Sequence, residues 1–193
     1  MITIIIPMFN EQDRISATLR DIEQFIESHP NLIKEVLLVD DGSTDTTIER
    51  ALYFKTRVPL KVHACVNNVG KWSAVNIGIM QSKGLLLLMD ADGAASVWNL
   101  VGEGGVELIK RGQAMFGSRF MKTSKVSGKS LLRKVVSEGY RSYVRWWYMF
   151  AKGKNDINDM QCPWKLFYKE DLQIPLLSER FAGDIEFACR LNA

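Results

Sequence analysis

The strongest constraint on the fold is a repeated junction in which a short, unbroken apolar run passes directly into a carboxylate-rich turn. Residues 36–39 (Val-Leu-Leu-Val) enter Asp40-Asp41-Gly42-Ser43-Thr44-Asp45, and residues 85–89, four leucines and Met89, enter Asp90-Ala91-Asp92-Gly93. Runs that do not alternate apolar with polar suit strands buried on both faces, as in a parallel sheet between helices. Residues 2–6, a β-branched run ended by Pro7, and residues 61–66 supply two further strands. Between them, Ile15, Leu19, Ile22 and Ile26 recur at helical spacing within 11–28 before His29-Pro30 stops the helix, and residues 47–54 and 73–82 read as two more helices. This β-α-β-α-β-α-β order predicts an α/β domain with a mainly parallel sheet and helices on both faces. Ligands of such sheets bind outside the carboxyl ends of the strands, where both acidic clusters fall.

Beyond Asp92 the pattern predicts a helix over 97–111, strands over 114–117 and 164–168, and a helix over 184–191, with linker-like composition at 122–130. A chain of 193 residues, 47% apolar, forms one domain with a sizeable core, and 24% charge with 10% aromatics excludes a disordered chain. Cys65, Cys162 and Cys189 lack CxxC spacing, which argues against a disulfide framework or a zinc site and for a reduced compartment. The longest apolar run, 85–89, is far short of the roughly 20 residues that span a bilayer, and no signal-peptide pattern opens the sequence. Membrane contact is therefore expected from the surface.

The formal charge of +3 conceals a strong asymmetry. Residues 110–154 hold twelve Lys and Arg against one acid, Glu138, a local charge of +11, and the remaining thirteen basic and twenty-one acidic residues leave −8 elsewhere. Within that segment residues 130–152 read as an amphipathic helix, with Leu132, Val136, Tyr140, Tyr143, Trp147 and Phe150 on one face and Arg133, Ser137, Arg141 and Arg145 in a stripe at i+4 spacing. Aromatic rings beside cations suit a helix at a lipid interface. A core-facing helix with a solvated back, or a nucleic-acid patch, has the same periodicity.

Two carboxylates two residues apart at a strand end, Asp90 and Asp92, suit one hard cation such as Mg²⁺ or Mn²⁺, whose shell substrate phosphates complete. A solvated turn is the plainer reading of the same residues. In the 40–45 cluster a carboxylate can accept from a ribose hydroxyl or a nucleobase N–H, while Ser43 or Asp45 caps the following helix.

The motifs Ile5-Ile6-Pro7-Met8-Phe9-Asn10-Glu11, Val39-Asp40-Asp41-Gly42-Ser43-Thr44-Asp45, Asn68-Val69-Gly70-Lys71, Met89-Asp90-Ala91-Asp92-Gly93-Ala94, Gly117-Ser118-Arg119 and Asp159-Met160-Gln161-Cys162-Pro163-Trp164-Lys165-Leu166-Phe167 occur in one order. In that order and spacing the sequence resembles the family 2 glycosyltransferases, and within them the branch that glucosylates dolichyl phosphate, with its polyprenyl-phosphate relatives. The resemblance implies a Rossmann-like GT-A fold as a single domain over 1–193. Its 1–109 half would bind a nucleotide sugar; its 110–193 half would take the acceptor and include an interfacial helix at about 130–152.

By the same resemblance Pro7, Phe9, Glu11, Asp40, Lys71, Asp90, Ala91 and Asp92 would bind the nucleotide sugar, with Phe9 against the uracil, Asp40 accepting the base N–H and Asp90 facing ribose or sugar. Phe9 taken alone would read as a core aromatic. Asp92 would hold the divalent metal, and Asp92, Arg119 and Asp159 would form the catalytic set, Asp159 as an orienting group. Arg119, Arg133 and Ser137 would clamp an acceptor phosphate, and Gln161, Lys165 and Asp184 would line the sugar and acceptor pocket. Four positions depart from the usual pattern: Ala94 where many mannose-transferring members carry a polar metal ligand, although the glucosylating branch resembles this sequence in having Asp-Gly-Ala, Trp72 in place of Gly, and Pro163-Trp164 in place of Gly-Phe. The sequence opens at the first strand and stops in a helix, and an N-terminal membrane helix like that of eukaryotic members is not expected.

The resulting expectation is inverting, metal-dependent transfer of a hexose, glucose foremost, from a UDP-sugar to a polyprenyl or dolichyl phosphate. The protein would sit in the cytoplasm, peripheral at a cytosol-facing membrane surface. No nucleic-acid partner is expected, because the acidic strand ends would repel a polyanion lacking metal. A family 2 enzyme acting on a hydroxyl acceptor, with Asp184 of Phe181-Ala182-Gly183-Asp184-Ile185-Glu186 as base, is the alternative enzyme. A non-catalytic nucleotide-sugar-binding module is the alternative from another class.

Overall fold

A computed structural model of the chain describes residues 1–102, 105–106, 109–110, 112–118, 139, 142–143, 146, 149–150, 159–173, 176 and 183–191. β1 (Ile2–Met8), α1 (Ile15–Ser28), β2 (Ile33–Asp40), α2 (Thr47–Leu52), β3 (Leu60–Ala64), α3 (Lys71–Gln81) and β4 (Leu85–Leu88) follow in strict alternation. β5 (Ala114–Phe116), β6 (Lys165–Tyr168) and α4 (Gly183–Arg190) complete the described elements. The six strands form one sheet in the order β3-β2-β1-β4-β6-β5. β1 pairs in parallel with β2 and β4, and β2 with β3, whereas β6 runs antiparallel to both β4 and β5.

The unbroken apolar strands are explained by cover on both sides. Ile2, Ile4, Ile6 and Met8 of β1 pack with Ile15, Leu19, Ile22 and Phe25 of α1, while Ile5 packs on the opposite face with Val75 and Ile79 of α3 and Phe187 of α4. All of these side chains are buried. At roughly 1.5–3 kcal/mol per large apolar side chain removed from water, these two layers are the main source of stability. Gly78 lets α3 seat closely: a Cβ there would lie 2.6 Å from Cγ2 of Ile5.

Among the described residues of the expected helix over 97–111, the structure shows a 3-10 turn, Val97–Leu100, and Val106 in 3-10 conformation rather than an α-helix. Gly102, Gly104 and Gly105 follow within five residues, and glycine costs about 1 kcal/mol each in a helix interior, so the turn does not propagate. The other expected elements lie within a few residues of those observed, and the strand expected over 164–168 enters the sheet antiparallel. In the helix expected over 130–152, Gly139, Ser142, Tyr143, Trp146, Met149 and Phe150 are described, and all six are helical and exposed. Its other residues, the basic stripe included, lie outside the described residues, as does the linker-like 122–130 stretch. No helix among the described residues is long and apolar enough to cross a membrane.

Candidate active site at the strand ends

The carboxyl ends of β1, β2 and β4 open into a pocket of about 630 Å³ lined by Pro7, Met8, Phe9, Glu11, Asp41, Asn68, Gly70, Lys71, Trp72, Asp90, Ala91, Asp92, Gln161 and Asp184. Parallel strands all deliver their last residues to one edge, so segments distant in sequence meet there. The loops are fixed by hydrogen bonds between them. Asn10, held in the left-handed region at φ 52°, donates its backbone N–H to Ser43 Oγ and accepts from Thr44 N at 2.9 Å, which ties the end of β1 to the end of β2. Backbone strain of this kind in a non-glycine residue persists where the surroundings fix it, commonly at ligand sites. Asp45 accepts from Thr47 N at 3.0 Å and from Gln12 N at 3.4 Å. Burial works against ionisation of Asp45, but the Thr47 and Gln12 donors prevail and hold its carboxyl below the ordinary value.

The two adjacent carboxylates of the β2 turn have separate tasks. Asp41 lines the pocket, and its oxygens accept from Val69 N at 2.6 Å and Gly70 N at 3.0 Å, so it holds the loop that leads into α3. Asp40 is buried, with Oδ2 accepting from Ser43 N at 2.9 Å and Oδ1 without a partner among the described residues. Gly42 closes this turn at φ +77°, and a Cβ there would stand 2.9 Å from the backbone of Asn67 and Asn68.

At the end of β4, Thr18 Oγ1 of α1 donates to the Ala91 carbonyl at 2.7 Å and anchors the Asp90-Ala91-Asp92 turn. Asp90 is paired with the ammonium of Lys71, at 2.7 Å to Oδ1 and 2.9 Å to Oδ2. Asp92 is exposed at the pocket, one oxygen accepting from Ala94 N at 2.9 Å. Burial raises the Glu11 carboxyl above its ordinary value; Arg14, 2.6 Å away, opposes this, and the charges of Asp92 and Asp90 reinforce it.

The donor set bears on a metal. No group of three His, Cys, Asp or Glu side chains that could cage an ion occurs among the described residues. Asp90 is engaged by Lys71, which leaves an oxygen of Asp92 as the exposed hard ligand. That is too little for a resident ion, but it fits a Mg²⁺ or Mn²⁺ that arrives with phosphate oxygens and water completing its shell.

Of the residues expected here, Pro7, Phe9, Glu11, Lys71, Asp90, Ala91, Asp92, Gln161 and Asp184 line the pocket together. Phe9, 43% exposed, is not a core aromatic. Asp40, Asp159 and Lys165 are buried and lie outside the pocket wall. Lys165, expected to flank the sugar and acceptor, is not among the pocket-lining residues: it is buried on β6, where its ammonium meets Asp184 Oδ1 at 2.7 Å. Asp159 sits in the turn whose carbonyl accepts from Cys162 N. Arg119, Arg133 and Ser137 lie outside the described residues. Sequence reasoning did not name Met8, Asp41, Asn68, Gly70 and Trp72 as wall residues, although the first four lie within motifs already singled out and Trp72 directly follows one.

A six-stranded sheet of this order, with a pocket at the ends of its parallel strands, defines an α/β domain of the GT-A type. Residues 3–170 match the Glycosyl transferase family 2 domain, and the chain belongs to that family. It is similar to the dolichyl-phosphate beta-glucosyltransferases of Homo sapiens, 29% identical over 96% of this chain and 61% of the relative, and of Dictyostelium discoideum, 32% identical over 96% and 60%. The chain therefore spans about three fifths of the length of these relatives. Among solved structures it shares the fold of glucosyl-3-phosphoglycerate synthase from Mycobacterium tuberculosis, with a TM-score of 0.69 and 17% identity over 96% of this chain and 62% of that one.

Proposed function

We propose that this domain transfers a hexose, glucose foremost, from a UDP-sugar to a polyprenyl or dolichyl phosphate with inversion at the anomeric carbon. The observation that carries this reading is the convergence of Phe9, Glu11, Lys71, Asp90 and Asp92 on one pocket at the strand ends, where a nucleoside diphosphate would meet an aromatic ring, a cation and a carboxylate available to a metal. The names of the curated relatives support the sugar and the acceptor. Phe9 offers its exposed ring to the base. Asp40 has a buried oxygen that needs a donor such as a uracil N–H, since an unpaired buried acceptor costs about 1–3 kcal/mol.

In the reaction an oxygen of the acceptor phosphate attacks the anomeric carbon in line as the bond to the diphosphate breaks and UDP departs. The acceptor phosphate is already ionised near neutral pH, so no side chain has to remove a proton. The protein's work is positioning and charge neutralisation. Lys71, held by Asp90, presents an ammonium toward the diphosphate. A Mg²⁺ or Mn²⁺ carried in on the diphosphate at Asp92 would supply further charge neutralisation for the leaving group. Arg119, Arg133 and Ser137 are proposed to hold the acceptor phosphate, for which the planar guanidinium fork is suited.

The exposed helical side chains Trp146 (58%) and Phe150 (77%), stacked with centroids 6.1 Å apart, support docking of the basic segment on an anionic membrane surface facing the cytosol. The test is incubation with radiolabelled UDP-glucose, Mn²⁺ and a polyprenyl phosphate, followed by organic extraction. Label in the organic phase is expected; label confined to water, or moved to a soluble acceptor, contradicts the lipid acceptor.

A further inference from the structure

Lys165 is 1% exposed, an unusual place for an ammonium. It donates to the Cys162 carbonyl and to Asp184 Oδ1, each at 2.7 Å, and lies 5.6, 5.9 and 6.0 Å from the ring centroids of Trp72, Phe116 and Phe187. These are cation–π distances. Apolar residues of similar volume commonly serve stability as well as a buried ion pair does, so stability alone gives this lysine little reason to be charged. Its effect is sought instead in what it holds.

What it holds is a wall of the pocket. Asp184, 20% exposed at its side chain, lines the cavity beside Trp72 and Gln161, and its Oδ2 has no partner among the described residues. The backbone is fixed on the other side as well: Gly183 presses against Trp72 so closely that a Cβ would lie 2.1 Å from Cγ of the indole. With the base proposed at Phe9 and the diphosphate at Lys71 and Asp92, the wall residues Trp72, Gln161 and Asp184 of the same pocket are left to the hexose. A carboxylate oxygen there accepts from a hydroxyl and repels a phosphate, so this end of the pocket suits the hexose rather than the anionic acceptor.

We infer that Lys165 is a positioning residue: from beneath the pocket it fixes the Asp184 carboxylate so that the free oxygen accepts a hydroxyl of the transferred hexose. The inference rests on the nucleotide-sugar reading above. The test is calorimetric titration of UDP and of UDP-glucose, under one Mn²⁺ concentration, into the full chain and its Lys165→Met variant. Methionine keeps length and apolar packing against the three rings and leaves Asp184 able to meet water.

The Kd for UDP should stay within a factor of two, while UDP-glucose weakens by about tenfold, the size of a lost hydrogen bond to a charged group. Lys165→Met/Asp184→Asn should be no weaker than Lys165→Met alone, because the lysine acts through Asp184. An unchanged ratio of UDP-glucose to UDP affinity, or a double variant much weaker than the single, overturns the inference and leaves nucleotide-sugar binding standing. Absence of binding of either ligand to the unaltered chain overturns the nucleotide-sugar reading, and this inference with it. If Lys165→Met loses UDP binding through misfolding, the double variant, which leaves no buried charge unpaired, carries the same comparison: a selective loss of UDP-glucose supports the inference and an unchanged ratio overturns it.

Discussion

At the residue scale the pocket combines carboxylates whose neighbours set their roles. Asp41 and Asp90 are engaged, by backbone N–H groups and by Lys71, whereas Asp92 keeps an oxygen for a ligand. Asp92→Ala should lower metal-dependent turnover by about a hundredfold or more, measured as initial transfer rate at saturating UDP-sugar. Glu11 gives a pH-dependent case. Its carboxyl titrates above the ordinary value in the folded chain, so the fold binds its proton more tightly than the unfolded chain does. That carboxylate therefore opposes folding once pH exceeds the folded value, and the penalty fades as pH falls through the ordinary carboxylate range. Glu11→Gln should raise the melting temperature at pH 7–8 and give no gain near pH 4; a destabilised variant at pH 8 would show that the Arg14 pair outweighs burial.

At the element scale α3 links core and site. Its first residues, Lys71 and Trp72, are in the pocket wall, and Gly78 two turns on touches Ile5 of β1. Gly78→Ala should cost about 1–3 kcal/mol by overpacking against a β-branched side chain, and should weaken UDP binding as α3 lifts from the sheet. Chemical denaturation and a UDP titration read the two effects. The sequence made the alternation of strands and helices legible because unbroken apolar runs and helical spacing are local patterns. It did not show that β6 inserts between β4 and β5, a long-range pairing with no local signature. The same lack of local signature hid Lys165: a lysine in a motif reads as a ligand contact, and only strand register turns its ammonium under the pocket to Asp184. Asp41 was obscured by Asp40, since adjacent strand-end residues point to opposite sides and the alternation can be assigned either way.

At the scale of the whole molecule the small net charge is a cancellation between an acidic body, whose carboxylates gather at the strand ends, and a basic segment over 110–154. The proposed membrane docking would set exposed Trp146, Met149 and Phe150 at the acyl boundary and bring the lysines and arginines of the segment to lipid phosphates. The protein should sediment with vesicles containing phosphatidylserine at low salt and be released at about 0.5 M salt, where the Debye length is only a few ångström. Trp146→Ser/Phe150→Ser should weaken that binding without changing UDP affinity. Binding equal to that of the unaltered chain would remove the aromatic face from the account.

The strand-end pocket is proposed to hold a nucleotide sugar through Asp92 and its neighbours. This is tested most directly by titrating UDP-glucose with Mn²⁺ into the chain and into Asp92→Ala, with ADP-glucose as the comparison. Saturable binding that favours UDP-glucose and weakens at least tenfold in Asp92→Ala or on chelation is the predicted result. Equal binding by the variant, or no preference between the two nucleotides, would contradict it.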